Sequence, residues 1–126
     1  MVTSITQGVK VSVETFYQQE FANKGEYVFA YRITIENKSE HTVQLLRRHW
    51  YIYDGIGTWR EVEGEGVVGE TPVIAPGHIH QYVSGCHLLA PAGKMHGSYL
   101  MMRTLDGMYI DVTIPEFHMV APFVLN

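Results

Sequence analysis

The sequence predicts an all-β fold, an antiparallel β-sandwich of immunoglobulin-like or fibronectin type III-like style with about seven strands. Three observations carry this prediction. Turn signals recur at short intervals: Asn23-Lys24-Gly25, Asn37-Lys38-Ser39, Asp54-Gly55-Ile56-Gly57, Pro76-Gly77, Pro91-Ala92-Gly93 and Asp106-Gly107. Between them apolar residues recur with a period of two, and no window has a convincing helical period. A single cysteine, Cys86, excludes the inter-sheet disulfide of antibody domains and favours the fibronectin-like variant. A small closed barrel would show the same strand pattern, so that alternative stays open.

Each element follows from its alternation. Val9, Val11 and Val13 alternate with Lys10, Ser12 and Glu14 in a first strand with one wet face. Tyr27, Phe29, Tyr31, Ile33 and Ile35 form the apolar side of a long second strand. Val43 to Tyr53 reads as a third, with Leu46, Trp50 and Ile52 on one face and Leu45, Arg47, His49, Tyr51 and Tyr53 on the other. Arg48 then shares the face of Trp50, where a bare charge is costly, so either a bulge turns it outward or a carboxylate pairs with it. Weaker strands are expected at Trp59 to Glu63 and from Val73, and a clear one at His78 to Gly85. Met95 to Thr104 and Met108 to Ile114 form a hairpin on Asp106-Gly107, a dipeptide suited to a type I′ turn. Pro115 is expected to stop the second of these strands, leaving Glu116 to Asn126 as an extended tail.

Residues 1–126 read as one domain, large enough to bury a core without disulfides or metals, so no cofactor is needed for folding. The net charge of -4 and the absence of a basic stripe argue against general nucleic-acid binding. No apolar run approaches a membrane span, the start lacks the pattern of a signal peptide, and one cysteine suits a reducing compartment. A cytoplasmic protein is the expectation.

The run Gly64-Glu65-Gly66-Val67-Val68-Gly69-Glu70-Thr71-Pro72 spells GxGxxG, the dinucleotide fingerprint, without the helix that makes it work. Pro72 pushes Thr71 away from helical geometry. The glycines then serve either as a phosphate cradle of backbone amides or as a shaped connection between strands. Glu61, Glu63, Glu65 and Glu70 would repel a free polyphosphate and favour the second reading. A phosphate there would need a divalent cation, or an arginine reaching over: Arg47, Arg48 and Arg60 are the candidates.

His78 and His80 lie two apart in a strand, so both project from one face and could offer two imidazoles to a transition metal. With Ile79 and Val83 assigned to the buried face, the histidines are expected in solvent without a further ligand beside them. Cys86 and His87 are neighbours on a strand and point to opposite faces, which denies them a catalytic dyad. Ser84-Gly85 lacks the elbow of esterases. Glu61, Glu63 and Glu65 would share one face of a continued strand, open to Mg²⁺ but commonly just a solvated edge. Tyr51 and Tyr53, with Tyr99 and Met101, add apolar bulk to faces carrying Arg47, His49 and Arg103. Aromatic side chains mixed with arginine are typical of protein interfaces.

Several motifs in order resemble the bacterial ApaG family: Val43-Gln44-Leu45-Leu46-Arg47-Arg48-His49-Trp50, the Gly64–Glu70 run with Pro72, Pro76-Gly77 leading to Tyr82-Val83-Ser84-Gly85, Gly93-Lys94-Met95-His96-Gly97-Ser98-Tyr99, and Ile114-Pro115-Glu116-Phe117 through to Asn126. They span nearly the whole chain. The resemblance implies a fibronectin type III-like sandwich, and a link to cobalt resistance and magnesium efflux with no established molecular activity. Related domains appended to eukaryotic F-box proteins and to a polymerase-delta-interacting protein imply use as an interaction module. The family's glycine motif is discussed as a pyrophosphate site, and Gly64, Gly66 and Gly69 are the matching positions. Near His78 and His80 the family pattern has an acidic and an aromatic residue, which weighs against a family-wide histidine site.

The expectation is therefore a non-enzymatic binding module, tied indirectly to divalent-cation homeostasis. It would engage a protein partner through Arg47, His49, Tyr51 and Tyr53. The alternative is a binder of a pyrophosphate-containing or other phosphorylated small molecule at Gly64, Gly66 and Gly69, with Mg²⁺ or Co²⁺. A weaker third reading makes His78 and His80 a metal site. Pairing of edge strands leaves a homodimer open.

Overall fold

The computed structural model describes residues 1–21 and 25–125, so the predicted turn residues Asn23 and Lys24 lie outside the described residues. Its strands are β1 (Val2–Thr6), β2 (Val9–Tyr17), β3 (Tyr27–Asn37), β4 (Val43–Tyr53), β5 (Trp59–Glu65), β6 (Val73–Ile74), β7 (Ile79–Leu88), β8 (Ala92–Arg103) and β9 (Tyr109–Val120). They form two antiparallel sheets, ordered β1-β2-β3-β7 and β5-β4-β8-β9, with β6 added against β4. Among the described residues this is a β-sandwich of nine strands, where about seven are expected from the sequence.

The core lies between the inner faces, as the period of two requires. Val9, Val11, Val13, Phe29, Tyr31, Ile33 and Ile35 are buried from the first sheet. Trp50, Ile52, Tyr99, Met101, Val112, Ile114 and Phe117 meet them from the second. Trp50 is 3% exposed, with its ring 5.5 Å from Tyr31 and 5.9 Å from Phe117 in edge-on contacts. Asn37, fully buried, ties the turn after β3 together. Its Nδ2 donates to the carbonyls of His41 and Ile74 at 2.8 and 2.9 Å, while its Oδ1 accepts from the Ser39 amide and hydroxyl.

The expected strands depart from the structure at their irregularities. β4 carries an extra residue between Leu45 and Arg47, so its alternation reverses there. Leu45 is buried, not outward, while Trp50 and Ile52 keep the inner face. β9 does not end at Pro115 but runs on to Val120, because a second register shift leaves Pro115 at a bulge, where a missing N–H breaks no ladder bond. The first part of the expected tail, Glu116 to Val120, is thus strand, and a short 3-10 turn follows over Pro122–Leu125. Asp106-Gly107 does not make a type I′ turn: the loop is longer, Gly107 alone in it has positive φ, and Asp106 accepts from the Met108 amide and from Arg103. Tyr99 and Met101 face the core rather than a surface.

The two flanks of the sandwich differ. On one, β1 and β9 are stitched by Ser4 Oγ donating to the Thr113 carbonyl at 2.8 Å and the Thr113 amide donating to Thr6 Oγ1 at 3.1 Å. On the other, the edges of β5 and β7 stand apart and the space between the sheets opens to the surface.

Candidate functional site

Arg48 is the central side chain of that open flank. The extra residue in β4 leaves it on the inner face beside Trp50, and neither expected remedy applies: it is not turned outward, and its partners are not carboxylates. Its Nη1 donates to the carbonyls of Glu65 and Gly66 at 2.9 and 3.0 Å, so the charge is met by peptide dipoles. Gly64 makes the room, since a Cβ there would stand 2.7–2.8 Å from the guanidinium.

Two cavities of about 350 and 390 Å³ meet at Tyr31, Arg48, Trp50 and Ser84 and together form the cleft. Arg60 from β5 reaches across one end, donating to the His87 carbonyl and lying 3.5 Å from Cys86 Sγ. Glu65, Val68 and Gly69 border the other end. Burial pushes the phenols of Tyr31, Tyr82 and Tyr99 above their ordinary value, and the Tyr82 and Tyr99 hydroxyls are hydrogen-bonded to each other. Burial also pushes up the Cys86 thiol, with Arg60 partly offsetting it, which is the reverse of what a catalytic thiolate needs.

The glycine run is a shaped hairpin. Val67 and Glu70 exchange backbone hydrogen bonds at 2.8 and 3.0 Å around Val68-Gly69, whose φ values of 47° and 77° are those of a type I′ turn. A β-branched residue at positive φ is strained, and Val68 holds that position at the rim of the cleft. Gly66, at φ 63°, lies so close to the Glu70 carbonyl that a side chain would collide with backbone. Its amide donates to the Leu46 carbonyl at 2.8 Å. The amides of Gly66, Val67 and Glu70 are therefore committed within the protein, and a phosphate at Gly64, Gly66 and Gly69 would depend on Arg48 and the remaining groups.

The predicted surface residues Arg47, His49, Tyr51 and Tyr53 do share one face, the outer side of the second sheet. Strand register adds neighbours from β5 and β8 that the alternation of β4 alone does not mark. Tyr51 stacks on His49 at 4.6 Å and on His96 at 5.1 Å, with interplanar angles of 25° and 18°. Trp59 meets His96 edge-on at 5.8 Å and Tyr53 at 5.2 Å, and the Lys94 ammonium lies 5.8 Å from the Trp59 ring. Tyr51 and Trp59 remain 37% and 51% exposed. Glu61 and Glu63, opposite Tyr51 and His49 on β5, bring carboxylates to 2.7 and 3.2 Å from His49 Nε2. The signal was available: with Asp54–Thr58 taken as the hairpin turn, strict antiparallel pairing sets Glu63 opposite His49.

His78 and His80 do not stand together in solvent. His80 faces inward with Tyr82, its Nε2 buried without a hydrogen bond and 3.9 Å from a Glu70 oxygen, whereas His78 precedes β7 and is exposed. Ile79 and Val83, expected inside, are 60% and 54% exposed on the outer face. The reversal follows from Tyr82 and Cys86, whose side chains take the inner positions of β7.

Comparison with known proteins places this architecture. The family model described as the ApaG domain matches residues 17–103. The chain is 45% identical to Protein ApaG of Paramagnetospirillum magneticum over 124 residues, covering 97% of this chain and 95% of that protein. It is 47% identical to Protein ApaG of Pseudomonas paraeruginosa over 120 residues, covering 94% of each. Among solved structures, the putative ApaA protein from Bordetella pertussis superposes with a TM-score of 0.87 at 40% identity, covering 90% of this chain and 94% of that one. A structural-genomics target superposes at 0.90 with 38% identity, covering 98% and 94%. By fold and by sequence over nearly its whole length, the chain belongs to the ApaG family.

Proposed function

We propose that this chain is a non-enzymatic binding module that docks a protein partner on the outer face of β5, β4 and β8. The observation that carries this reading is the contiguous row of rings His49, Tyr51, His96, Trp59 and Tyr53 on the outer face of the second sheet, half-buried except for Tyr51 and Trp59, which are exposed. Rings already ordered by stacking lose little freedom on binding, and Tyr and Trp are the side chains that most often dominate an interface. Glu61 and Glu63 beside the row favour a partner segment that offers arginine or lysine next to an apolar anchor. The link to divalent-cation homeostasis is proposed as indirect, through that partner.

The reading is tested by capture from the native cell with the wild type and with the Arg47→Ala/Tyr51→Ala double variant. A discrete partner held by the first and lost by the second is the expected result. Equal capture by both would overturn it.

A second reading has its own observation. Arg48 and Arg60 both line the cleft between β5 and β7, so a small anion such as pyrophosphate, with or without Mg²⁺, would meet two guanidinium groups there. Titration should then move the Arg48 and Gly69 resonances; silence at millimolar pyrophosphate, with and without Mg²⁺, removes this reading.

A further inference from the structure

We infer that His49, Glu61 and Glu63 form a binding site for a borderline divalent transition-metal ion of the Zn²⁺ class. One ligand atom from each lies within 4.8 Å of the other two. Two of the separations are already close to coordination geometry. Metal–ligand bonds of about 2.0–2.1 Å place neighbouring donors about 2.8–3.0 Å apart around an octahedral ion and about 3.3–3.4 Å apart around a tetrahedral one. His49 Nε2 stands 2.7 Å from the Glu61 oxygen and 3.2 Å from that of Glu63. An ion would replace the hydrogen bond between His49 and Glu61 and draw the two carboxylates together, an adjustment open to side chains that are 54% and 52% exposed.

The scaffold suits the site. All three ligands sit on adjacent paired strands, with Glu63 directly across from His49 and Glu61 two residues away on the same face. Tyr51, stacked on the His49 ring with centroids 4.6 Å apart, restrains the imidazole plane, the kind of support that orients a ligand. The two carboxylates converge on a single imidazole, and a dication between them would offset their mutual repulsion.

The donor set selects the metal class. One imidazole nitrogen and two carboxylate oxygens suit Zn²⁺, Mn²⁺ and similar ions, while Mg²⁺ and Ca²⁺ prefer all-oxygen shells. Three protein ligands leave at least one coordination position for water or for a donor from a bound partner. His49, Glu61 and Glu63 lie on the same face as the proposed docking surface, but metal binding by the isolated chain requires no partner, so either role can fail without the other.

The test is calorimetric titration of the full chain with Zn²⁺, paired with nuclear magnetic resonance of the wild type as Mn²⁺ is added. One equivalent of Zn²⁺ is expected to bind, with His49→Ala and Glu61→Gln each weakening it at least tenfold. Trace Mn²⁺ should broaden the signals of residues 49, 61 and 63 first, and excess Mg²⁺ should not restore them. His118→Ala, which alters another exposed histidine beside a glutamate, should bind Zn²⁺ as the wild type does. Absence of binding at millimolar Zn²⁺, unchanged affinity in His49→Ala, or broadening that begins elsewhere would each overturn the assignment. The Mn²⁺ experiment uses only wild-type protein, so it decides the question even if a variant fails to fold.

Discussion

On the outer face of the first sheet, Arg32 pairs with Glu14 at 3.6 Å and Gln81 donates to Thr34 at 2.9 Å, each contact joining strand neighbours at the surface. On the outer face of the second, Tyr51 lies between two imidazoles, and Trp59 caps the row beside Lys94. Both faces arise from the same alternation, since β2, β3, β4 and β8 each send every second residue to the core. What differs is the outward set. The first face mixes paired polar and charged groups with separate apolar side chains, Phe16 beneath Arg32 and the aliphatic Ile79 and Val83, whereas the second gathers large rings in mutual contact, the kind of apolar area that a partner could cover.

The contrast can be broken most severely from beneath. Trp50→Ala removes a buried ring packed on Tyr31 and Phe117 and should cost about 3–5 kcal/mol, measured by urea unfolding. Tyr51→Ala, the next residue but on the outer face, should cost under about 1 kcal/mol while weakening partner binding by roughly tenfold or more. A large loss of stability in both would mean that the outer row is structural rather than a docking surface.

A smaller effect is expected where the cleft meets the glycine hairpin. Gly66→Ala forces a side chain onto the Glu70 carbonyl at positive φ and should destabilise by about 2–3 kcal/mol. Unfolding midpoints compared with Gly69→Ala, which meets nothing within 4 Å and carries only the strain of its positive φ, would separate collision from conformation.

The interior tyrosines set an alkaline limit. Burial holds the phenols of Tyr31, Tyr82 and Tyr99 protonated in the folded protein above the ordinary value of 10.0, so the unfolded chain gives up these protons first. Their contribution is complete below about pH 10 and is lost as pH rises above it, and melting temperature should fall across that range. Tyr82→Phe should flatten the fall, apart from the lost bond to Tyr99. At the small end, Arg32→Ala on the first sheet breaks an exposed ion pair and should change stability by under about 1 kcal/mol.

Much of the fold was legible because burial follows period two wherever strands are regular. Val9, Val11 and Val13, and Phe29 through Ile35, went where alternation sends them. The failures sit at features that depend on a cross-strand partner. The extra residue near Leu46 and the bulge at Pro115 exist only relative to β8, so nothing local in the chain marks them. β1 leaves little mark in the sequence because Val2 and Ile5 are both exposed and its Gln7-Gly8 turn, with both residues at positive φ, lacks the usual asparagine or aspartate signal. For the same reason the tight turn was expected at Asp106-Gly107 and is found at Val68-Gly69. On the candidate surface, Arg47, His49, Tyr51 and Tyr53 could be grouped from one strand. Trp59 and His96 join them only through register with β5 and β8.

The central claim, that the outer face of the second sheet is where a partner docks, is tested most directly by photo-crosslinking in the native cell. Benzoylphenylalanine would be placed at Tyr53 on that face, at Arg32 on the opposite face and at Val68 on the rim of the cleft. The account predicts a discrete cross-linked species from position 53, absent from position 32 and lost when Tyr51→Ala is combined with it. The same species from position 32, or a species from position 68 alone, would contradict it.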